Sequence, residues 1–150
     1  MATANLRRVR LLGLLVILAG AVLVVAGVVT WFTVRSQLSD EQITVSSDAS
    51  AFAGDRVDGP FTAYTEANTI EKHALEATGG RTYAELGKDD PKRQTAMTAS
   101  FLRASLFTSV VSFGIAAMAA FLGVVLILIG WALRSLGIAP APDQGPVING

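Results

Sequence analysis

Residues 11–34 read LLGLLVILAGAVLVVAGVVTWFTV, and none of these side chains carries a charge. About 20 consecutive apolar residues are enough for a helix to cross the hydrocarbon core of a bilayer. Lipid offers backbone N–H and C=O groups no hydrogen-bond partners, so a segment that spans it has to be helical. The stretch therefore predicts a transmembrane helix.

A second uncharged stretch lies towards the other end of the chain. Residues 104–133 read ASLFTSVVSFGIAAMAAFLGVVLILIGWAL, between Arg103 and Arg134. This window is also long enough to cross a bilayer. A buried core helix of a soluble protein would need a large surrounding domain, which a chain of 150 residues with two such windows does not provide. We predict an all-α membrane protein: an antiparallel two-helix transmembrane hairpin, with a small and mainly helical extracytoplasmic module between the spans.

The first apolar window is interpreted as an uncleaved anchor. The preceding residues, MATANLRRVR, have the basic character of a signal-peptide n-region. The apolar part of a signal peptide is typically about 7–15 residues long, however, and this one is longer. Trp31 and Phe32 also stand where the small residues of a cleavage site would be expected.

The basic residues beside the two windows predict the orientation. Arg7, Arg8 and Arg10 precede the first window, and Arg134 follows the second. Residues 35–103 hold eight basic and eleven acidic residues, but so long a segment falls outside the charge rule, and the short flanks decide. We predict a multi-pass protein of the cell (plasma) membrane with a cytoplasmic N-terminus (1–10), an extracytoplasmic segment 35–103 and a disordered cytoplasmic tail (134–150).

Local signals divide the extracytoplasmic segment. Pro60 and Gly79 predict a helix over about 60–78, because proline fits the first helical turn and glycine the residue after the last. Asp90 followed by Pro91 predicts a second helix from about residue 91, continuous with the second span. The sequence ITVSS at 43–47 is typical of a short strand.

Small residues recur every seven positions in both windows. They are Gly13, Gly20 and Gly27 in the first and Ser109, Ala116, Gly123 and Gly130 in the second. Such a repeat keeps one helix face narrow and favours close packing with a left-handed crossing. One antiparallel register forms three small-residue pairs at once: Gly13–Gly130, Gly20–Gly123 and Gly27–Ala116. Whether these faces pack within one chain or between two chains stays open.

The same register, continued beyond the bilayer, predicts an ion pair. It places Asp40 opposite Arg103 at the outer surface. An exposed ion pair of this kind contributes only about 0–1 kcal/mol.

His73 is the only histidine, and Glu76 lies three residues beyond it. These two are weak metal-ligand candidates, because catalytic zinc usually takes three protein ligands and the iron of a facial triad takes two histidines and a carboxylate. We therefore predict no catalytic residue, no metal site and no cofactor, and a solvated histidine on a charged helix face. The spans lack the ionisable groups that pumps and channels usually carry.

Two stretches resemble a known family: ITVSSDASAFAGDRVDGPFTAYTEANTIEKHALEATGGRTYAEL and DDPKRQTAMTASFLRASLFTSVVSFG. The family comprises small two-span membrane proteins of actinobacteria, which automatic naming often labels aromatic ring-opening dioxygenases. The resemblance implies a cell-membrane protein of undetermined function. The label itself does not transfer, because extradiol dioxygenases hold iron with two histidines and a carboxylate and this chain has one histidine.

Three functions remain as hypotheses. The first is a non-catalytic accessory subunit or envelope scaffold, which uses its acidic outer module to bind proteins. Its partners would be the lipid bilayer and either another membrane protein or a second copy of this chain, and not nucleic acid. The alternatives are a membrane-anchored enzyme and an extracytoplasmic ligand sensor.

Overall fold

The computed structural model describes residues 2–136, with side chains from residue 6 onward. Within that range the chain forms three α-helices: α1 (Ala2–Asp40), α2 (Pro60–Thr78) and α3 (Arg93–Leu136). A short 3₁₀ turn, Tyr83–Glu85, lies between α2 and α3. Most of the predicted disordered tail, from residue 137 on, lies outside the described residues.

Helices α1 and α3 are both long enough and apolar enough to cross a membrane. They contain 39 and 44 residues and extend beyond both ends of the uncharged windows. Only 17% and 22% of their most apolar windows are buried. The core helix of a soluble protein would be mostly buried, so the exposure of these side chains is the pattern expected of helices that face lipid.

The chain divides into two compact units. The first contains α1 up to Val25 and the described part of α3 from Ala119 onward. The second runs from Ala26 to Met118 and contains α2 and the loops.

In the first unit, α1 and α3 meet at glycines. A Cβ built on Gly13 would lie 2.7 Å from the carbonyl oxygen of Gly130, and one built on Gly20 would lie 2.5 Å from that of Gly123. Contacts this short leave no room for any side chain, so the close approach of the two backbones requires glycine. The pairing of low with high residue numbers makes the two segments antiparallel.

The core of the second unit joins its helices to the loop between α1 and α2. The edge of the Trp31 ring packs against Phe113, with 4.8 Å between the ring centroids. Val45 and Val57, from the loop, are almost fully buried. The buried members of this cluster are Leu38, Val45, Val57, Ala63, Ala67, Leu106 and Phe113. Burial of these apolar side chains is the main force that holds the loop and α2 against α1 and α3.

The segment predicted as a strand, 43–47, forms a single β-bridge. Thr44 pairs with Arg56 in antiparallel fashion, and the backbone N–H of Val45 donates to the carbonyl oxygen of Asp55 at 2.8 Å. No longer strand occurs among the described residues. The bridge closes the loop and places Val45 in the core.

Local interactions set the bounds of α2. Pro60 occupies its first position, and the N–H of Gly59 donates to the Thr62 hydroxyl at 3.2 Å. Gly79, directly after the helix, has φ 72°, the left-handed conformation that glycine adopts without steric cost. The observed helix coincides with the one predicted over about 60–78.

Helix α3 begins two residues later than expected. The carboxylate of Asp90 accepts the backbone N–H of Lys92 at 2.9 Å. The backbone carbonyl oxygen of Asp90 accepts the backbone N–H of Arg93 at 3.0 Å. These bonds form a turn at Pro91, so the regular helix starts only at Arg93.

Candidate functional site

The histidine singled out by the sequence is tied to an aspartate from the preceding loop. His73 Nε2 lies 2.8 Å from Asp48 Oδ2, and Lys72 Nζ donates to the same oxygen at 3.0 Å. A carboxylate oxygen accepts hydrogen bonds, so Nε2 of His73 carries the proton in this contact. Each of the three side chains is roughly half exposed. We call Asp48, Lys72 and His73 the Asp48 cluster.

The electrostatics of the Asp48 cluster are those of an ion pair. The hydrogen bond from His73, followed by that from Lys72, lowers the pKa of Asp48 from 3.8 to about 2. The hydrogen bond and charge of Asp48, and then the charge of Glu76, raise the pKa of Lys72. Both shifts favour the charged forms of these side chains. The cluster therefore fits a tie between the loop and α2.

The arrangement at His73 offers few metal ligands. Its polar contact is with Asp48, while Glu76 is exposed on the last turns of α2. Nowhere in residues 2–136 do three or more His, Cys, Asp or Glu side chains come together in a way that could hold a metal ion. One imidazole and one carboxylate provide fewer ligands than a catalytic zinc site usually has.

Glu66 is a second carboxylate that binds the loop, and sequence reasoning did not single it out. Its side chain is buried, and it accepts hydrogen bonds from the Ser46 N–H at 2.7 Å and the Ser46 hydroxyl at 3.0 Å. Ala63 and Ala67 lie on the same buried face of α2. A buried carboxylate is costly unless it is hydrogen-bonded, so Glu66 fixes the position of Ser46. The sequence gives no signal for this contact because Ser46 is 20 residues away.

The predicted Asp40–Arg103 pair differs from the pair that the structure contains. Arg103 donates to Glu71 of α2 at 2.8 Å, and its guanidinium lies 5.2 Å from the centre of the Phe107 ring. Asp40 is exposed and lines a shallow groove with residues that include Ser105. The physical reason is that α2 packs beside α3 and brings the Glu71 carboxylate within reach of Arg103.

A cavity of about 110 Å³ lies beside Arg103. Its walls include Glu71 of α2, Ser100 of α3, and Arg81 and Tyr83 from the segment between these two helices. The Nε atom of Arg103 is buried and has no hydrogen-bond partner among the described residues. The cavity has room for a few water molecules or one small polar group.

The structure brings together part of the predicted small-residue seam. The pairs Gly13–Gly130 and Gly20–Gly123 are in backbone contact, as described above. Gly27 and Ala116 are both buried, and Ser109 is half-buried. Each of these two backbone contacts joins a pair of glycines.

No family model, curated protein or solved structure matches this chain. The polar groups described above mainly join one element of the second unit to another.

Proposed function

We propose that this chain is a non-catalytic protein of the cell membrane that displays a small folded module for binding another membrane protein. In this proposal α1 and α3 form a transmembrane hairpin, both termini are cytoplasmic, and residues 35–103 lie on the outer side. One observation carries it: the groups suited to chemistry are used to hold the module together, while large aromatic side chains of the module stay exposed.

Membrane insertion is supported by the surface of the long helices. Leu15, Val22 and Phe121 are among many large apolar residues that stay more than 60% exposed. Soluble proteins rarely expose apolar surface on this scale. The arginines beside the spans favour cytoplasmic termini.

Protein binding is supported by an aromatic face on the first turns of α2. We define this aromatic face as Phe61, which is 74% exposed, and Tyr64, which is 51% exposed. The Tyr64 ring meets Phe107 of α3 edge-on, at 5.8 Å between centroids. Phe107 thus holds one side of the tyrosine in place. Exposed and pre-positioned aromatics are enriched in the buried centres of protein interfaces.

The experiment is purification of the full chain from its membrane in mild detergent, with mass spectrometry of what co-purifies. The double variant Phe61→Ser, Tyr64→Ser should lose a membrane partner that the wild type retains. The control is Phe101→Ser, which removes a phenylalanine of similar exposure, 67%, from α3. The captured protein is then purified separately, and its affinity for each variant is measured. No reproducible partner, or equal loss in the control, would contradict the proposal.

Ligand sensing is a second candidate, favoured by the cavity beside Arg103 and its unpartnered Nε. A small neutral hydrogen-bond acceptor such as acetamide would fit the volume and accept the Nε–H, since the charge of Arg103 is already paired with Glu71. It should raise the melting temperature of the full chain in detergent, and Arg103→Lys should abolish the shift. The absence of any shift with the wild type would count against sensing at this cavity.

The enzyme hypothesis has a direct test. Metal analysis of the purified protein would overturn a non-catalytic function if it found stoichiometric iron that was lost in His73→Ala.

A further inference from the structure

A basic cavity lies in the first unit, between the start of α1 and the end of α3. Arg7 and Arg10 of α1 and Arg134 of α3 line this open cavity, whose volume is about 470 Å³. Leu11 and Leu14 complete its walls. Three guanidinium groups from two helices thus surround this cavity, and the two leucines form its apolar wall.

The three arginines carry charge that the described protein does not neutralise. None of them takes part in the ion pairs found among residues 6–136. The sequences 1–34 and 104–136 contain no acidic residue at all. Like charges around one space repel each other, and an anion placed between them relieves that repulsion.

The glycine contact seats Arg134 in this cavity. Its Cγ lies 2.9 Å from the position that a Cβ on Gly13 would occupy, so the aliphatic stem rests on bare backbone of α1. Arg7, Arg10, Leu11 and Leu14 recur at helical spacing on a single face of α1. Arg8 does not line the cavity.

We propose that Arg7, Arg10 and Arg134 form a binding site for a phosphate group. A guanidinium matches phosphate oxygens with two parallel hydrogen bonds, a geometry that lysine cannot supply. The two leucines give the cavity an apolar wall that suits the glycerol and acyl part of an anionic phospholipid. Basic pockets between transmembrane helices on the cytoplasmic side bind such head groups. The lipid source rests on the proposed membrane insertion, whereas phosphate recognition does not.

The test is native mass spectrometry of the full chain in detergent, titrated separately with phosphatidylglycerol, phosphatidylcholine and inorganic phosphate. The wild type should prefer phosphatidylglycerol to phosphatidylcholine. Arg134→Gln should weaken that binding by about tenfold or more, because a charge-assisted hydrogen-bond pair is lost. The control Arg8→Gln removes the same charge from a residue of α1 that does not line the cavity, and it should change affinity by less than about twofold. Arg134→Lys keeps the positive charge but loses the two parallel N–H donors of the guanidinium. Its affinity should fall between that of the wild type and that of Arg134→Gln.

The results distinguish a lipid head group from free phosphate as the ligand, and they show which outcomes contradict the site. Inorganic phosphate that binds as tightly, with the same dependence on Arg134, assigns the site to free phosphate. Equal loss in Arg8→Gln and Arg134→Gln would overturn the site, because net charge alone would then explain binding. Lack of phosphate binding together with lack of lipid preference would overturn it as well. Far-UV circular dichroism checks that each variant is helical, and cysteine labelling tests insertion independently.

Discussion

At the scale of single residues, side chains that suggest chemistry serve mainly to join segments. His73 and Lys72 hold Asp48, Glu66 holds Ser46, and the loop is fixed to α2 at both points. Sequence reasoning identified His73 as the chemical candidate and expected it to be solvated. It could not find Asp48 as the partner, because the two are 25 residues apart and only the path of the loop brings them together.

Asp48→Asn should alter stability in a pH-dependent way. The carboxyl group of Asp48 has a pKa of about 2 in the folded protein, below its usual 3.8. Its contribution to the stability of the fold is therefore present above pH 3.8 and is lost as the pH falls through the folded pKa. The variant should melt below the wild type at pH 5–7, and the difference should shrink between about pH 4 and pH 2. The side chains that act on the Asp48 carboxylate are His73 and Lys72, and the charge of Glu76 acts in turn on Lys72.

The measurement is thermal unfolding of the full chain in detergent, followed by the fluorescence of Trp31 in a Trp131→Phe background. Trp31 packs in the core of the second unit, so its emission reports on that core. Asp55→Asn, which removes an exposed carboxylate of the same loop, is the control and should melt close to the wild type at pH 5–7. A melting difference for Asp48→Asn that stays constant down to pH 2 would contradict the predicted linkage.

Glu66→Ala should destabilise the second unit. The substitution removes the acceptor for two hydrogen bonds and leaves the Ser46 N–H unpaired, which costs about 1.5–3 kcal/mol of unfolding free energy. Glu76→Ala, on the exposed face of the same helix, should stay within about 0.5 kcal/mol of the wild type. Trp31 fluorescence during unfolding measures the free energy of unfolding of both variants. Equal losses in Glu66→Ala and Glu76→Ala would show that the Ser46 contact contributes little to stability.

At the scale of elements, local signals predicted the helices and tertiary contacts determined the rest. The bounds of α2 follow from Pro60 and Gly79, whose effects are confined to neighbouring residues. The start of α3 was predicted two residues early because Asp90 forms a turn instead of a helix cap. The Asp40–Arg103 pair failed because a two-helix register ignores α2, which supplies Glu71 to Arg103.

Gly123→Ala should weaken the contact between α1 and α3. A Cβ there would lie 2.5 Å from the carbonyl oxygen of Gly20 and 2.7 Å from a Val24 methyl, so the helices have to separate, at a cost of roughly 1–3 kcal/mol. Gly114→Ala is the matched control on the same helix, since no atom lies within 4 Å of its added methyl group. It should leave stability unchanged or slightly higher, because alanine is the better helix former.

The measurement for both glycine variants is the temperature at which half of the detergent-solubilised protein is lost from its size-exclusion peak. This midpoint temperature should fall clearly for Gly123→Ala and not for Gly114→Ala. Equal midpoints for the two variants would mean that the glycine contact does not limit stability.

At the scale of the whole molecule, the sequence predicted the two apolar helices because hydropathy is a property of each window by itself. The exposed apolar surface of α1 and α3 agrees with that prediction. The positions of the loop, the aromatic face and the cavity beside Arg103 depend on contacts between distant segments. Periodicity within one helix does not specify those contacts, so they appear only in the structure.

Single cysteines should report the proposed orientation. The chain contains no cysteine of its own, so each introduced thiol is labelled without background. Ser47→Cys should react with a membrane-impermeant maleimide in intact cells, whereas Ser135→Cys should react only after permeabilisation. Both serines are exposed. The reverse pattern would place the termini outside, and labelling of both in intact cells would contradict a two-span topology.

The glycine contacts have a consequence for biosynthesis. Gly20 leaves the ribosome roughly one hundred residues before Gly123, an interval on the order of 5–20 s at about 5–20 residues per second. In the proposed topology, the glycine face of α1 would enter the membrane without its partner during that interval and would be open to the same face of another nascent copy. Pairing between chains would then compete with pairing within one chain, and the speed and spacing of translation on a shared messenger RNA would influence which form assembles.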